Sequence, residues 1–334
     1  MERFFVIFVF GFFVLSCSSE EDSTEDSLSS NGWIIDEKDI SGRFFLYPLA
    51  IDPNFDSVNN INLSDGQLVG VINFGLQVIV YPYVYTFESE VINADYNGRK
   101  YAFTYCPITK SALAFNRTQI FRASGYLYKD NLTPWDDETE SIWSQMLIRG
   151  IKGDNKNRKF NTIPVVETTW GTVKKYFPTA KVFTGATNSA KSGSISFNKR
   201  PPDENDNTVS DIEKPNPSEH VYGIIDNFNS VHIFRHSNFR NKVVIKTISN
   251  QEYIIIGNQS NRFFNAFKVD NADDYKILEN QLPYVIQNRS GIKYNILGIG
   301  TNGSVLEKPK YAYVAAWWAW EDFYSNFNFV DTGE

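Results

Sequence analysis

An internal echo constrains this chain more than any other feature. Leu68-Val69-Gly70-Val71-Ile72 returns as Val221-Tyr222-Gly223-Ile224-Ile225. Tyr101-Ala102-Phe103 with Ala114-Phe115 returns as Tyr253-Ile254-Ile255 with Ala266-Phe267. Ile148-Arg149-Gly150-Ile151 is matched by Leu297-Gly298-Ile299, and Trp170 by Trp318, always about 150 residues on. A steady offset is the mark of a repeated unit, here at roughly 60–183 and 221–330. Chance likeness between β-patterned segments is the competing explanation.

The repeated unit reads as strand. Residues 67–85 are rich in Val, Ile and Tyr with partial alternation. Residues 90–96 and 99–105 flank Asn97-Gly98, which favours the type I′ turn of a tight hairpin. A second hairpin pairs 243–248 with 252–256 across Ser249-Asn250-Gln251. Helical signals are confined to 167–176, stopped by Pro178, and to the aromatic 314–326. The expected class is a β-rich α+β fold of two pseudo-repeated, β-dominated units with few short helices. The expected division is 33–185, a polar linker or loop at 186–220 rich in Asn, Asp, Ser and Pro, and 221–334.

The N-terminus speaks to location. One cation precedes an apolar run at 4–15 that is too short to span a bilayer. Val14-Leu15-Ser16-Cys17 then has the arrangement of a bacterial lipoprotein signal. The expectation is a signal peptide at 1–16 and a mature chain starting at Cys17. Acyl chains such as palmitate on Cys17 would hold the protein to a membrane. The alternative is an ordinary secretory signal with an incidental cysteine. Residues 17–32 form an acidic tether with five acids and no base between Ser18 and Asp26. Such a tract stays extended and solvated. It points to the cell envelope, expected at the outer membrane and its surface in a Gram-negative cell.

Much of the net charge of -7 sits in that tether. The body has no basic stripe, so nucleic acid is not an expected partner. With Cys17 lipidated, Cys106 is the remaining thiol, which excludes an intrachain disulfide and a multi-thiolate zinc site.

Cys106 precedes Pro107 where a strand ends, a position from which a side chain can face a cleft. A neighbouring cation, with Lys110 and Arg117 as candidates, would make it a nucleophile or metal ligand. The bland alternative is a small buried hydrophobe. Glu90, Asp136, Asp137, Glu138 and Glu140 could pair as acid and base; residues 136–141 also read as a turn leading into a short helix. His232 and His236, four apart on a strand, would stand roughly 13 Å apart, too far to share a metal. Gly298-Ile299-Gly300-Thr301-Asn302-Gly303 matches a dinucleotide fingerprint literally, but a glycine-rich turn explains it better without a following helix. Trp317, Trp318 and Trp320 either form a sugar-stacking platform or pack in the core with their N–H groups bonded.

Several blocks in the first copy, taken in order, resemble the bacterial domain-of-unknown-function 3179 family. They are Asp52-Pro53-Asn54-Phe55, Leu68-Val69-Gly70-Val71, Tyr81-Pro82, Thr104-Tyr105-Cys106-Pro107, Ala114-Phe115-Asn116-Arg117, Ser124-Gly125-Tyr126-Leu127, Thr168-Thr169-Trp170 and the run from Asp136 to Gln145. The resemblance implies thiol or selenol chemistry, because the family motif reads Cys-Pro-Leu-Cys, with selenocysteine in some members. This chain carries Thr109 in place of the second cysteine, and Ser89 where the family has the His of a His-Glu pair. The leading expectation is therefore a non-catalytic or weakly active binding protein. Its site would lie near Cys106, with Glu90, Arg117, Asp136, Glu140 and Gln145. The rivals are a thiol-dependent redox or metal-handling protein using Cys106, and a surface glycan binder. Nothing in the sequence names a cofactor, a ligand or a metal.

Overall fold

A computed structural model describes residues 32–87, 89–186, 215–227, 230–239 and 243–330. The signal at 1–16, Cys17, nearly all of the tether and 187–214 of the linker lie outside the described residues, so the anchoring expectations do too.

The first copy is built on a hairpin of Leu68–Phe74 and Gln77–Pro82. Val166–Thr169 pairs antiparallel with its first strand, and Lys181–Ala186 runs parallel to its second. A parallel neighbour needs a crossover, and the seven-residue helix Trp170–Tyr176 supplies it. The second copy repeats every step. Ser230–Arg235 pairs with His220–Asn227; Ala312–Ala316 flanks the first strand antiparallel, and Asn326–Phe329 flanks the second in parallel, across helix Trp317–Phe323. Each copy adds a meander: Val91–Tyr96, Arg99–Cys106 and Ser111–Asn116 in one, Val243–Ile248, Gln251–Asn258 and Phe263–Val269 in the other. The result is the β-rich α+β architecture with two pseudo-repeated units.

Local chemistry sets these elements. Asn97 and Gly98 both hold positive φ, 51° and 79°, as a type I′ turn requires. The second hairpin turns on Ser249 and Asn250, and Gln251 belongs to the returning strand. Gly70 and Gly223 hold equivalent places, and each admits an aromatic ring. A Cβ would come within 2.8 Å of Phe103 at one and 2.5 Å of Trp320 at the other.

The structure corrects four local expectations. The helix expected at 167–176 starts only at Trp170, because Val166–Thr169 is a strand and Thr169 caps the helix, accepting from the Thr172 amide. The helix expected at 314–326 is strand, helix and strand. The counterpart of Trp170 is therefore Trp317, the first helical residue, rather than Trp318. No helix follows Asp136; its carboxylate closes a tight turn by accepting from the Thr139 amide at 2.8 Å, and the strand Ile142–Ser144 follows.

The copies are locked by reciprocal packing. Val166–Thr169 of the first lies on Phe263–Val269 of the second, and Ala312–Ala316 of the second lies on Ser111–Asn116 of the first. This is the logic of an isologous interface within one chain. Two cores are consequently shared. Phe115, Trp143 and Met146 pack with Val221, Ile233 and Trp317, while Val69, Val80 and Trp170 pack with Ile254, Phe263 and Phe267. Each copy also keeps a cluster of its own. Trp170, Trp317 and Trp320 are core residues, but their ring N–H groups find no partner among the described residues. Ring packing holds Trp317 and Trp320 instead, as where Trp320 stacks on Tyr313 at 4.5 Å, while Trp170 sits in an apolar cluster with Val69 and Val80.

Candidate functional site

The repeat defines two equivalent turns. Residues 107–110 join the second and third meander strands in the first copy, and 259–262 do so in the second. Each turn reaches into the opposite copy. The Thr109 carbonyl accepts from the Ala316 amide at 2.9 Å. The Asn261 carbonyl accepts from Thr168 Oγ1 at 2.7 Å, and its Oδ1 accepts from Thr172 Oγ1 at 3.1 Å.

The first turn closes over Cys106. The thiol is 1% exposed and donates weakly to the Asp130 carbonyl at 3.8 Å. Burial, and then the neighbouring Glu90, push it above the ordinary thiol range. Glu90 is itself buried, and burial pushes its carboxyl up to about 8. Tyr47 covers the pair, its phenol pushed up to about 12 by burial and then by the charges of Glu90 and Cys106. Burial therefore favours the protonated form of the thiol, the carboxylic acid and the phenol alike.

Beside it runs a closed polar network. Gln145 Oε1 accepts from Ser111 Oγ at 2.7 Å and from Asn131 Nδ2 at 2.8 Å. Gln145 Nε2 donates to Thr104 Oγ1 at 2.8 Å. Asn131 also donates to Thr109 Oγ1 at 2.9 Å, and its Oδ1 accepts from the Met146 amide at 3.0 Å. Thr109 is thus tied into a satisfied core network.

Of the residues expected around Cys106, Glu90 and Gln145 are in this centre. Asp136 serves a separate structural knot, accepting from Trp143 Nε1 at 2.8 Å and from Asn155 Nδ2 at 3.2 Å. Glu140 is exposed. Arg117 binds the carbonyls of Tyr101 and Gln119, on the wall of a pocket of about 220 Å³. Lys110 lies in the turn with φ 56°.

The second turn borders an open cleft of about 490 Å³, lined by Glu219, His220, Arg235, His236, Gln259 and Arg262 with Ser218 and Ser237. Beneath it Glu167, on the seam strand, is 3% exposed. Its Oε1 lies 3.0 Å from His220 Nδ1, and its Oε2 has no hydrogen-bond partner. Burial opposes ionisation of Glu167. The hydrogen bond of His220, then its charge and that of Arg262, outweigh it and hold the carboxyl below its usual value. His236 packs on Phe264 with ring centres 4.0 Å apart, and both its nitrogens are buried without a partner. Burial pushes it down to about 4 against the pull of Glu167, so its ring is neutral.

His232 faces Asp226, Nε2 to Oδ2 3.9 Å, whereas His236 starts the next short turn. Among the described residues no three His, Cys, Asp or Glu side chains cluster to hold a metal ion. Gly298 and Gly303 are turn residues with φ 76° and 84°, and no helix follows them before Trp317. Sequence reasoning missed Glu167, which sits in a segment read as helix, and Arg262, whose one signal is its place at the repeat equivalent of Lys110.

Residues 47–327 match the family model described as Protein of unknown function (DUF3179). No curated protein and no solved structure matches the chain.

Proposed function

Given that the chain belongs to the DUF3179 family, we propose that it is a lipid-anchored cell-envelope protein that binds a ligand without thiol chemistry. The observation that carries this reading is the burial of Cys106 beside Glu90, which raises both groups toward their protonated forms. A nucleophilic or metal-binding cysteine needs a thiolate and an approach path. Here burial and an adjacent acid act against the thiolate, and the polar network closes the side. Thr109 removes the second thiol that a disulfide-exchange cycle would use. The lost His and the lost Cys then belong together, as a reactive centre converted into core.

Anchoring follows from Val14-Leu15-Ser16-Cys17 and the acidic tether after it. Sugar stacking is less well supported, because Trp317 and Trp320 are 1% and 0% exposed. Expression with labelled palmitate tests the anchor, and complementation of a deletion strain tests the chemistry. Label should enter wild type and Cys106→Ala and be lost in Cys17→Ala. Cys106→Ala should complement fully. A Cys106→Ala strain that behaves as the deletion, with normal protein levels, would restore the thiol reading.

A further inference from the structure

The charges around the seam cleft are unevenly committed. Glu219 and Arg235 neutralise each other through two bonds, Nε to Oε1 3.0 Å and a terminal guanidinium nitrogen to Oε2 2.8 Å. Glu167 is engaged by His220. Arg262 lines the cleft without an ion-pair partner among the described residues, and its field reaches Glu167 and His236. His220 spends Nδ1 on Glu167, which leaves Nε2 as its remaining polar atom. His236, 9% exposed, closes the site with two unbonded ring nitrogens. Buried polar atoms without partners are costly and rare. Here His236, which carries two of them, borders a volume of about 490 Å³, the size of a small-molecule site.

We propose that this cleft binds a small molecule through an oxyanion group, carboxylate or phosphate, held between the Arg262 guanidinium and the His220 imidazolium, the form in which Nε2–H is left to donate while Nδ1–H is on Glu167. The proposal deepens the binding reading above and rests on it. A guanidinium presents paired N–H donors that match two oxygens of such a group. Glu167 is a positioning residue: it fixes the His220 ring through Nδ1 and directs Nε2 away from itself. Arg262 is placed by its turn, where Asn258 Oδ1 accepts from the Asn261 amide at 2.8 Å and the Gln259 carbonyl accepts from the Arg262 amide at 3.3 Å. The Arg262 charge in the lining disfavours a bare metal cation.

Calorimetric titration of the full-length protein in non-ionic detergent tests this, with sodium phosphate, sodium acetate and zinc chloride as separate probes. At least one anion should bind saturably. Arg262→Ala should weaken it by about tenfold or more, Arg262→Lys by less, and Glu167→Gln by a few-fold. Lys110→Ala, at the equivalent turn position of the first copy, should leave binding unchanged, as should Cys106→Ala. Loss of anion binding in Cys106→Ala alone would sink the thiol-free reading and leave the cleft intact. Absence of saturable heat from both anions would overturn the proposal, as would equal affinity in Arg262→Ala. Saturable zinc binding that disappears in His220→Ala would also overturn it, in favour of a metal site. If Arg262→Ala does not fold, Arg262→Lys against Lys110→Ala reads the same question.

Discussion

Turns 107–110 and 259–262 hold the same place in the two copies, yet their surroundings are opposite. Around the first, polar side chains satisfy one another and burial raises the ionisable groups toward their protonated forms. Around the second, a carboxylate is kept ionised and polar atoms are left unbonded beside an open cleft. The repeat places equivalent turns in the two copies, and among the described residues the unbonded polar atoms of these two surroundings lie around the second. A satisfied network adds rigidity, while unmet polar groups at a cleft are an incentive to bind.

The two centres also respond to pH with opposite sign. Glu90 has a folded value raised to about 8. Its contribution is complete below the unfolded value and is lost as pH rises toward 8. His236 has a folded value lowered to about 4. Its contribution is present above the unfolded value and is lost as pH falls from there toward 4.

The comparison breaks most readily at its scaffold. Trp170→Ala and Trp317→Ala should each cost about 3–5 kcal/mol in urea unfolding, because both start the crossover helix in a shared core. A cost confined to one would deny the equivalence of the copies. Gln145→Leu keeps the bulk but removes the acceptor shared by Ser111 and Asn131 and the donor to Thr104, and should cost about 1–3 kcal/mol per group left unpaired. Glu90→Gln should flatten a decline in stability of at most about 1.4 kcal/mol per pH unit between the unfolded and folded values. The difference between wild type and variant across that window isolates Glu90, and a variant with unchanged slope would show a solvated acid. Exposed Glu140→Gln should stay within about 0.5 kcal/mol, and a larger change would return Glu140 to the site.

The architecture was largely legible in the sequence. Asn97-Gly98 fixed a hairpin through its backbone demand, and the glycine-centred echo at Gly70 and Gly223 marked equivalent strands. Boundaries were less legible at Val166–Thr169 and Ala312–Ala316. Each is a short strand running straight into a helix, and a single-period reading merges the two. The site was half legible. The family motif drew attention to Cys106 and Glu90, and burial then decided their state, which sequence does not encode locally. Glu167, His220 and Arg262 lie far apart in the chain and meet only through reciprocal packing of the copies.

The most direct measurement compares alkylation of Cys106 with alkylation of a cysteine placed at Gln259, in a Gln259→Cys, Cys106→Ala protein. Gln259 lines the cleft beside the second turn. The account predicts that the introduced thiol reacts at close to the rate of a free cysteine, with a midpoint near 8.5, while Cys106 is protected until denaturant unfolds the chain. Rapid labelling of folded Cys106 with a midpoint below that value would contradict the account and return the chemistry to the first copy.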